Sequence, residues 1–196
     1  MKKVISVQIV FIFLLMLCAC SSPDSGKTGA HSSKKEPLNA ANFSQLADSE
    51  GFVYGFSIMF DIFAFKFYDE THLSWCDIIL PDVSSRSDLT EDNITLDYED
   101  LNEAFLDYTA YGEDTWSMKR GLKYWTFYFV YADPENEYVI FQSSAGPDFD
   151  FNDAIILMNK QLFVSMYRNE PNDFFTSSED YNNLDTWIEY LDFCKA

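Results

Sequence analysis

Histidine is nearly missing from this chain of 196 residues: His31 and His72 are the only two. Their settings matter more than their number. His31 lies in a Ser-, Gly- and Lys-rich stretch and His72 in a polar turn. Neither is placed to act as base for a Ser or Cys nucleophile, or to join a zinc site. Cations are scarce as well, 13 Lys and Arg against 32 Asp and Glu, for a formal net charge of −19. Beyond residue 41 the counts are 8 against 30, a net of −22. A surface of that sign repels nucleic-acid phosphates and favours cationic partners, metal ions or simple solubility. Only 7 glycines are present, and none forms a Gly-rich phosphate loop. A membrane-spanning run is lacking too: residues 4–17 are apolar apart from Ser6 and Gln8. That is short of the roughly 20 residues a crossing helix needs. With Met1, Lys2 and Lys3 ahead and small residues behind, the run reads as the apolar part of a signal peptide.

At its end stand Leu17, Cys18, Ala19 and Cys20. This quartet resembles the lipobox of bacterial lipoproteins, the site cut by signal peptidase II. The resemblance implies that residues 1–19 are a signal peptide and that Cys20 opens the mature chain with a diacylglyceryl thioether, usually with an added N-acyl chain. Several acyl chains hold far better than one, at about 0.8 kcal/mol per buried methylene. It also implies a place in the bacterial cell envelope, anchored to the outer leaflet of the cell membrane. In a diderm host, Ser21 after the Cys points to the outer membrane.

Residues 20–41 read as the lipidated Cys and a flexible tether, rich in Ser, Gly, Lys and Ala. Residues 42–196 read as one acidic globular domain, long enough for a single core. Cys18 leaves with the signal and Cys20 is lipidated, so Cys76 and Cys194 remain. In an exported chain they either pair as a disulfide or lie buried as small apolar groups.

Aromatic residues dominate what is present: 19 Phe, 12 Tyr and 4 Trp. Asn42 is placed to cap a short helix over residues 43–47. Residues 52–68 read as one long or bent strand, turning at residues 69–72 into a hairpin with residues 73–80. From Asp97 the spacing of Leu101, Phe105, Tyr108 and Tyr111 predicts a helix ending at Gly112. Residues 122–131 and 138–143 read as strands joined by a turn at residues 133–136, and residues 149–157 and 162–167 as another pair. Ser177 and Asp180 then start a C-terminal helix with a stripe of Tyr181, Leu184, Ile188 and Leu191. The fold class is α+β: an antiparallel meander or partly closed barrel with one inserted and one C-terminal helix. Phe65, Lys66, Phe67, Tyr68 and Asp69 with the turn that follows, and the stretch 162–168, look like the meander of small lipocalin-like bacterial lipoproteins. The Gly-x-Trp of lipocalins does not occur near the first strand.

One cluster carries metal-ligand chemistry. Asp148, Asp150, Asn152 and Asp153 alternate oxygens with Phe149 and Phe151, as a calcium loop or a half-solvated strand would. An EF-hand is excluded, since the sixth position is not Gly and Asn159 stands at the twelfth. The four Trp are a sugar platform or core. No residue is assigned a catalytic role. The expectation is a non-catalytic domain that binds a small ligand or an envelope protein, cationic partners being favoured by its charge. A carboxylate-based, calcium-dependent envelope hydrolase and an acidic inhibitor or immunity-type protein are the alternatives.

Overall fold

Alternation of side chains decides this architecture, because almost every strand has a different environment on each face. A computed structural model describes residues 36–196 except 59, 60, 70, 83, 84, 108–113, 146, 147, 170 and 196. The strands are β1 (Phe52–Ser57), β2 (Asp61–Phe67), β3 (His72–Ile79), β4 (Thr95–Leu96), β5 (Asn102–Asp107), β6 (Thr115–Arg120), β7 (Lys123–Ala132), β8 (Tyr138–Gln142) and β9 (Ala154–Met158). Helices α1 (Lys160–Arg168), α2 (Ser178–Tyr181) and α3 (Leu184–Lys195) follow. Each neighbouring pair is antiparallel, in the order β2-β1-β9-β8-β7-β6-β5-β3-β4. A further β2–β3 pairing closes eight of these strands into a barrel, leaving β4 as an extra strand on β3. Closure joins the two ends of the domain, with Tyr54 of β1 opposite Met158 of β9 and Ser57 opposite Ile155.

Inward positions fill the lumen. Val53, Phe63, Phe65, Trp116, Phe127, Phe141, Ile155 and Leu157 form one buried cluster with Leu38, Ala40, Phe43 and Leu46. Phe43 lies on a 3-10 turn over Phe43–Leu46 and is wholly buried, its ring 4.9 Å from Trp116, 5.4 Å from Phe141 and 5.5 Å from Phe67. An eight-stranded barrel is just wide enough for its own side chains. Here the space is taken by aromatic rings and by a piece of the chain itself. Outward positions of the same strands, including Tyr54, Ile140, Ile156 and Met158, form a second cluster with Leu162, Phe163, Leu191 and Cys194 of the helices. Strand β9 is thus covered on both faces, which explains its unbroken apolar sequence, Ala154–Met158.

Several expectations are corrected. Leu38 and Ala40, assigned by composition to the tether, are buried in the lumen cluster, and Asn136 binds Glu36 O and Leu38 N at 3.1 Å each. The packed domain therefore includes residues ahead of 42. Residues 52–68 are two strands rather than one. The helix expected from Asp97 is a single 3-10 turn, Tyr98–Asp100, followed by strand β5. Pairing with β3 and β6 decides this: Ala104 and Leu106 turn inward while Phe105, counted as part of an apolar helix face, is 63% exposed. The end of that expected helix, with Tyr108, Tyr111 and Gly112, lies outside the described residues. Residues 162–167 are helical, not extended. Asn159 caps α1, its Oδ1 accepting from Leu162 N at 2.8 Å. The stretch 149–157 is extended only in β9, Phe151–Asp153 being a 3-10 turn. The Ser177 and Asp180 pair does start a helix: Asp180 Oδ2 accepts from Ser177 N at 2.7 Å, which holds that carboxyl below its ordinary value. It caps α2, which ends before α3 begins.

The packed lumen makes two stability predictions. A Cβ at Gly55 would run into the Phe63 ring and Leu157, so Gly55→Ala should destabilise the domain by about 1–3 kcal/mol through overpacking. Phe43→Ala should cost about 3–5 kcal/mol by emptying the space it fills. Urea unfolding of residues 36–196 measures both.

Candidate functional site

The helices do not lie flush on the barrel wall. Between them and β1 opens a cavity of about 260 Å³ lined by Phe56, Phe151, Met166, Tyr167, Pro171, Phe175, Tyr181, Trp187, Tyr190 and Arg86. Trp187 is its centre. The indole stacks on Phe151 at 4.5 Å and 17° and meets Phe175 at 4.5 Å, with Phe56 across at 6.1 Å. Phe175 in turn stacks on Tyr181 at 4.7 Å. These rings are held by their polar atoms, which turn away into backbone. Trp187 Nε1–H donates to Tyr181 O at 2.9 Å, and the Tyr190 hydroxyl lies 2.7 Å from Met166 O and 2.9 Å from Asn169 O. Asn182 Oδ1, between α2 and α3, accepts from Phe151 N at 3.2 Å and ties the helical side of the cleft to the barrel side.

What remains to meet a ligand is a largely aromatic wall whose polar groups include Arg86 and the Tyr167 hydroxyl. Arg86 sits exposed on a 3-10 turn, Arg86–Asp88, whose Ser85 cap accepts from Ser87 N. The Tyr167 hydroxyl is pushed up to about 12, first by burial and then by Asp61, with Arg86 opposing. It stays protonated at neutral pH. The cleft therefore offers shape, aromatic surface, the neutral Tyr167 hydroxyl and the permanent positive charge of Arg86.

A second, polar cavity of about 510 Å³ lies between α1 and the end of α3, lined by Glu91, Asp92, Glu137, Arg168, Cys194 and Lys195 among others. Its main charges are already committed. Arg168 Nε donates to Leu89 O at 2.6 Å. Lys195 Nζ lies 2.9 Å from Asp133 Oδ1, 2.9 Å from Asp192 Oδ1 and 3.3 Å from Glu135 Oε2. Asp133 is only 1% exposed, so this ammonium compensates a buried carboxylate, and those hydrogen bonds raise the lysine above its ordinary value against the effect of burial. Among the described residues, Asp133, Glu135 and Glu137 are the acidic group close enough to hold a metal ion, with ligand atoms within 4.8 Å of one another. The lysine supplies the cation there.

Sequence-based candidates fall elsewhere. Asp150 Oδ1 accepts from both Asn152 N and Nδ2 at 2.9 Å, capping the 3-10 turn. Asp148 and Asn152 are exposed and Asp153 half-buried. The run thus builds a turn, and Phe151 within it contributes a wall to the cleft. His72 stacks on Phe105 on the outer barrel wall, at 5.5 Å and 18°. The Trp residues belong to the cores, with Trp116, Trp187 and Trp75 buried. Cys20 lies outside the described residues. The disulfide is corrected: Cys76 and Cys194 are both free and buried. Cys76 is on β3 near Asp77 and Asp97, whereas Cys194 is on α3 beside Tyr190 and Asn169. Each is held by its own packing. Of the cleft lining, only Trp187 figures among the sequence-based candidates, as one of the four Trp of a sugar platform, and the other three are not in that lining. The one cue was aromatic density across residues 149–190.

No family model matches this sequence, and no match is found among curated proteins or among solved structures.

Burial pushes the Cys76 thiol up to about 11, with Asp77 and Asp97 adding to it, and burial likewise raises Cys194. At pH 8 a thiol reagent should leave native residues 36–196 unmodified and label both cysteines once the domain is unfolded. The check is a mass spectrum before and after denaturation.

Proposed function

We propose that this protein is a membrane-anchored lipoprotein of the bacterial envelope whose domain binds without catalysis, and that the cleft around Trp187 holds a small apolar group carrying an anionic end. The observation that carries the reading is the filled lumen beside an open, aromatic, cation-tipped cleft. Rings such as Phe43 and Trp116 occupy the space in which a ligand-carrying barrel would hold its cargo. Binding therefore falls to the outer wall. There the apolar lining contributes affinity through burial, and Arg86 orients the ligand by pairing with its charge. A cavity of about 260 Å³ admits a short aliphatic or single-ring group, not a lipid or a folded segment. The lipobox resemblance at Leu17 and Cys20 supports the anchor. Among the described residues that line the cleft there is no histidine and no carboxylate.

Two experiments test the two halves. Octanoate and octanol, titrated by calorimetry, should differ, with the carboxylate tighter by about tenfold in the wild type. In Arg86→Ala the two should bind alike. Equal affinity in the wild type would refute the role of Arg86, and no binding of either would refute the cleft. For the anchor, the wild-type chain should partition into detergent and Cys20→Ala should not. Unchanged partitioning of the variant would overturn the lipidation.

A further inference from the structure

The β6–β7 hairpin ends in Arg120, Gly121, Leu122 and Lys123, with Gly121 at φ +60° making the turn. Leu122 is wholly exposed, an aliphatic side chain standing free at the tip of a barrel. Around it Lys119, Arg120, Lys123 and Tyr124 are exposed as well. None of the three cations forms an ion pair with a described residue. Lys119 lies over the Tyr124 ring at 5.2 Å and Arg120 over the Trp75 ring at 5.5 Å, and Trp75 meets Trp125 edge-on at 5.9 Å. Cross-strand pairing carries the same surface sideways, since Lys119 stands opposite exposed Phe105 and opposite Tyr124.

This combination occurs on a domain whose charge is otherwise strongly negative. Three of the 8 cations beyond residue 41 fall between residues 119 and 123. Free aliphatic surface, the exposed Tyr124 behind it, and cations flanking both is the chemistry that sits well in a membrane interface. A soluble polyanion would be served by the cations alone and has no use for Leu122. Charge asymmetry also supplies direction: an anionic plane attracts the tip and repels the acidic remainder, so approach is tip-first. We propose that the β6–β7 hairpin tip docks on an anionic lipid surface, with Leu122 entering the boundary between headgroups and acyl chains and Lys119, Arg120 and Lys123 against the phosphates. This contact is separate from the Trp187 cleft. Glu36, where the described chain starts, is bound by Asn136 just past the other end of β7, about 30 Å from the tip along a strand of 10 residues.

The test uses residues 36–196, which carry neither signal nor lipidation site and bury two cores among themselves. They are sedimented with vesicles of phosphatidylglycerol and phosphatidylcholine in equal parts, and with phosphatidylcholine alone. Binding to the anionic vesicles, weakened by salt, and none to the neutral ones is expected. Lys123→Glu should lower the partition by about tenfold, and Leu122→Ser by severalfold. Lys160→Glu, away from the tip, should leave it unchanged. These sites are at the surface, and unaltered melting confirms that the variants are folded. Absence of binding, equal binding to both vesicles, or an equal loss with Lys160→Glu would overturn the proposal. So would retention on heparin that Leu122→Ser does not affect together with vesicle binding that it does not affect, which would identify a soluble polyanion as the partner.

Discussion

The barrel holds together because its interior is solid. Eight strands enclose a space that must be filled, and at these positions the strands alone do not fill it. Phe43 enters from the preceding segment and meets Trp116, Phe141 and Phe67. Interiors packed at this density tolerate little change of volume, which is why Gly55 has no room for even one more carbon beside Phe63 and Leu157. Under the proposed reading, the same constraint moves binding outward. With the lumen occupied, recognition would fall to the cleft that the helices leave against β1, around the buried Trp187 and behind Arg86.

Acidity has a structural side as well as a surface one. Asp150, Asp180 and Asn159 each accept backbone N–H groups at the start of a helical turn, satisfying donors that have no partner within the helix. Asp69 does the same in the β2–β3 turn, accepting from Thr71 N at 2.7 Å. Asp133 is buried and answered by Lys195. Many carboxylates that look from composition like candidate ligands are therefore already engaged by the chain. With such acids engaged, the cations gathered at the β6–β7 tip stand out by contrast.

Hairpins were legible in the sequence because strand alternation and turn chemistry agree there. Asp69 to His72 and Asp133 to Asn136 both mark turns between alternating aromatic strands, and β2–β3 and β7–β8 form around them. Where the two signals part, the reading inverts. Leu101 and Phe105 fit a helical face and also lie in and beside a strand, and only pairing with β3 and β6 chooses between them. Asn159 suits a turn or an N-cap equally, and the short apolar run after it has no length to decide. The cleft was illegible for a different reason. Phe56, Arg86, Phe151 and Trp187 come from separate segments, and no local pattern says that they meet. At the tip, Lys119, Arg120 and Lys123 lie close together in the chain, but that Leu122 stands free among them is a property of the hairpin.

The plug at Leu38 to Leu46 has a mechanical meaning. Tension reaching the domain through its N-terminus arrives first at the paired hydrogen bonds between Asn136 and the backbone of Glu36 and Leu38. Behind them Phe43 is wedged among rings, and β1, next in the chain, is the strand that closes the barrel against β9. A pull would thus act on the seam and its stopper together. The element that seals the interior is also the one that would bear any load applied from the N-terminal side of the domain.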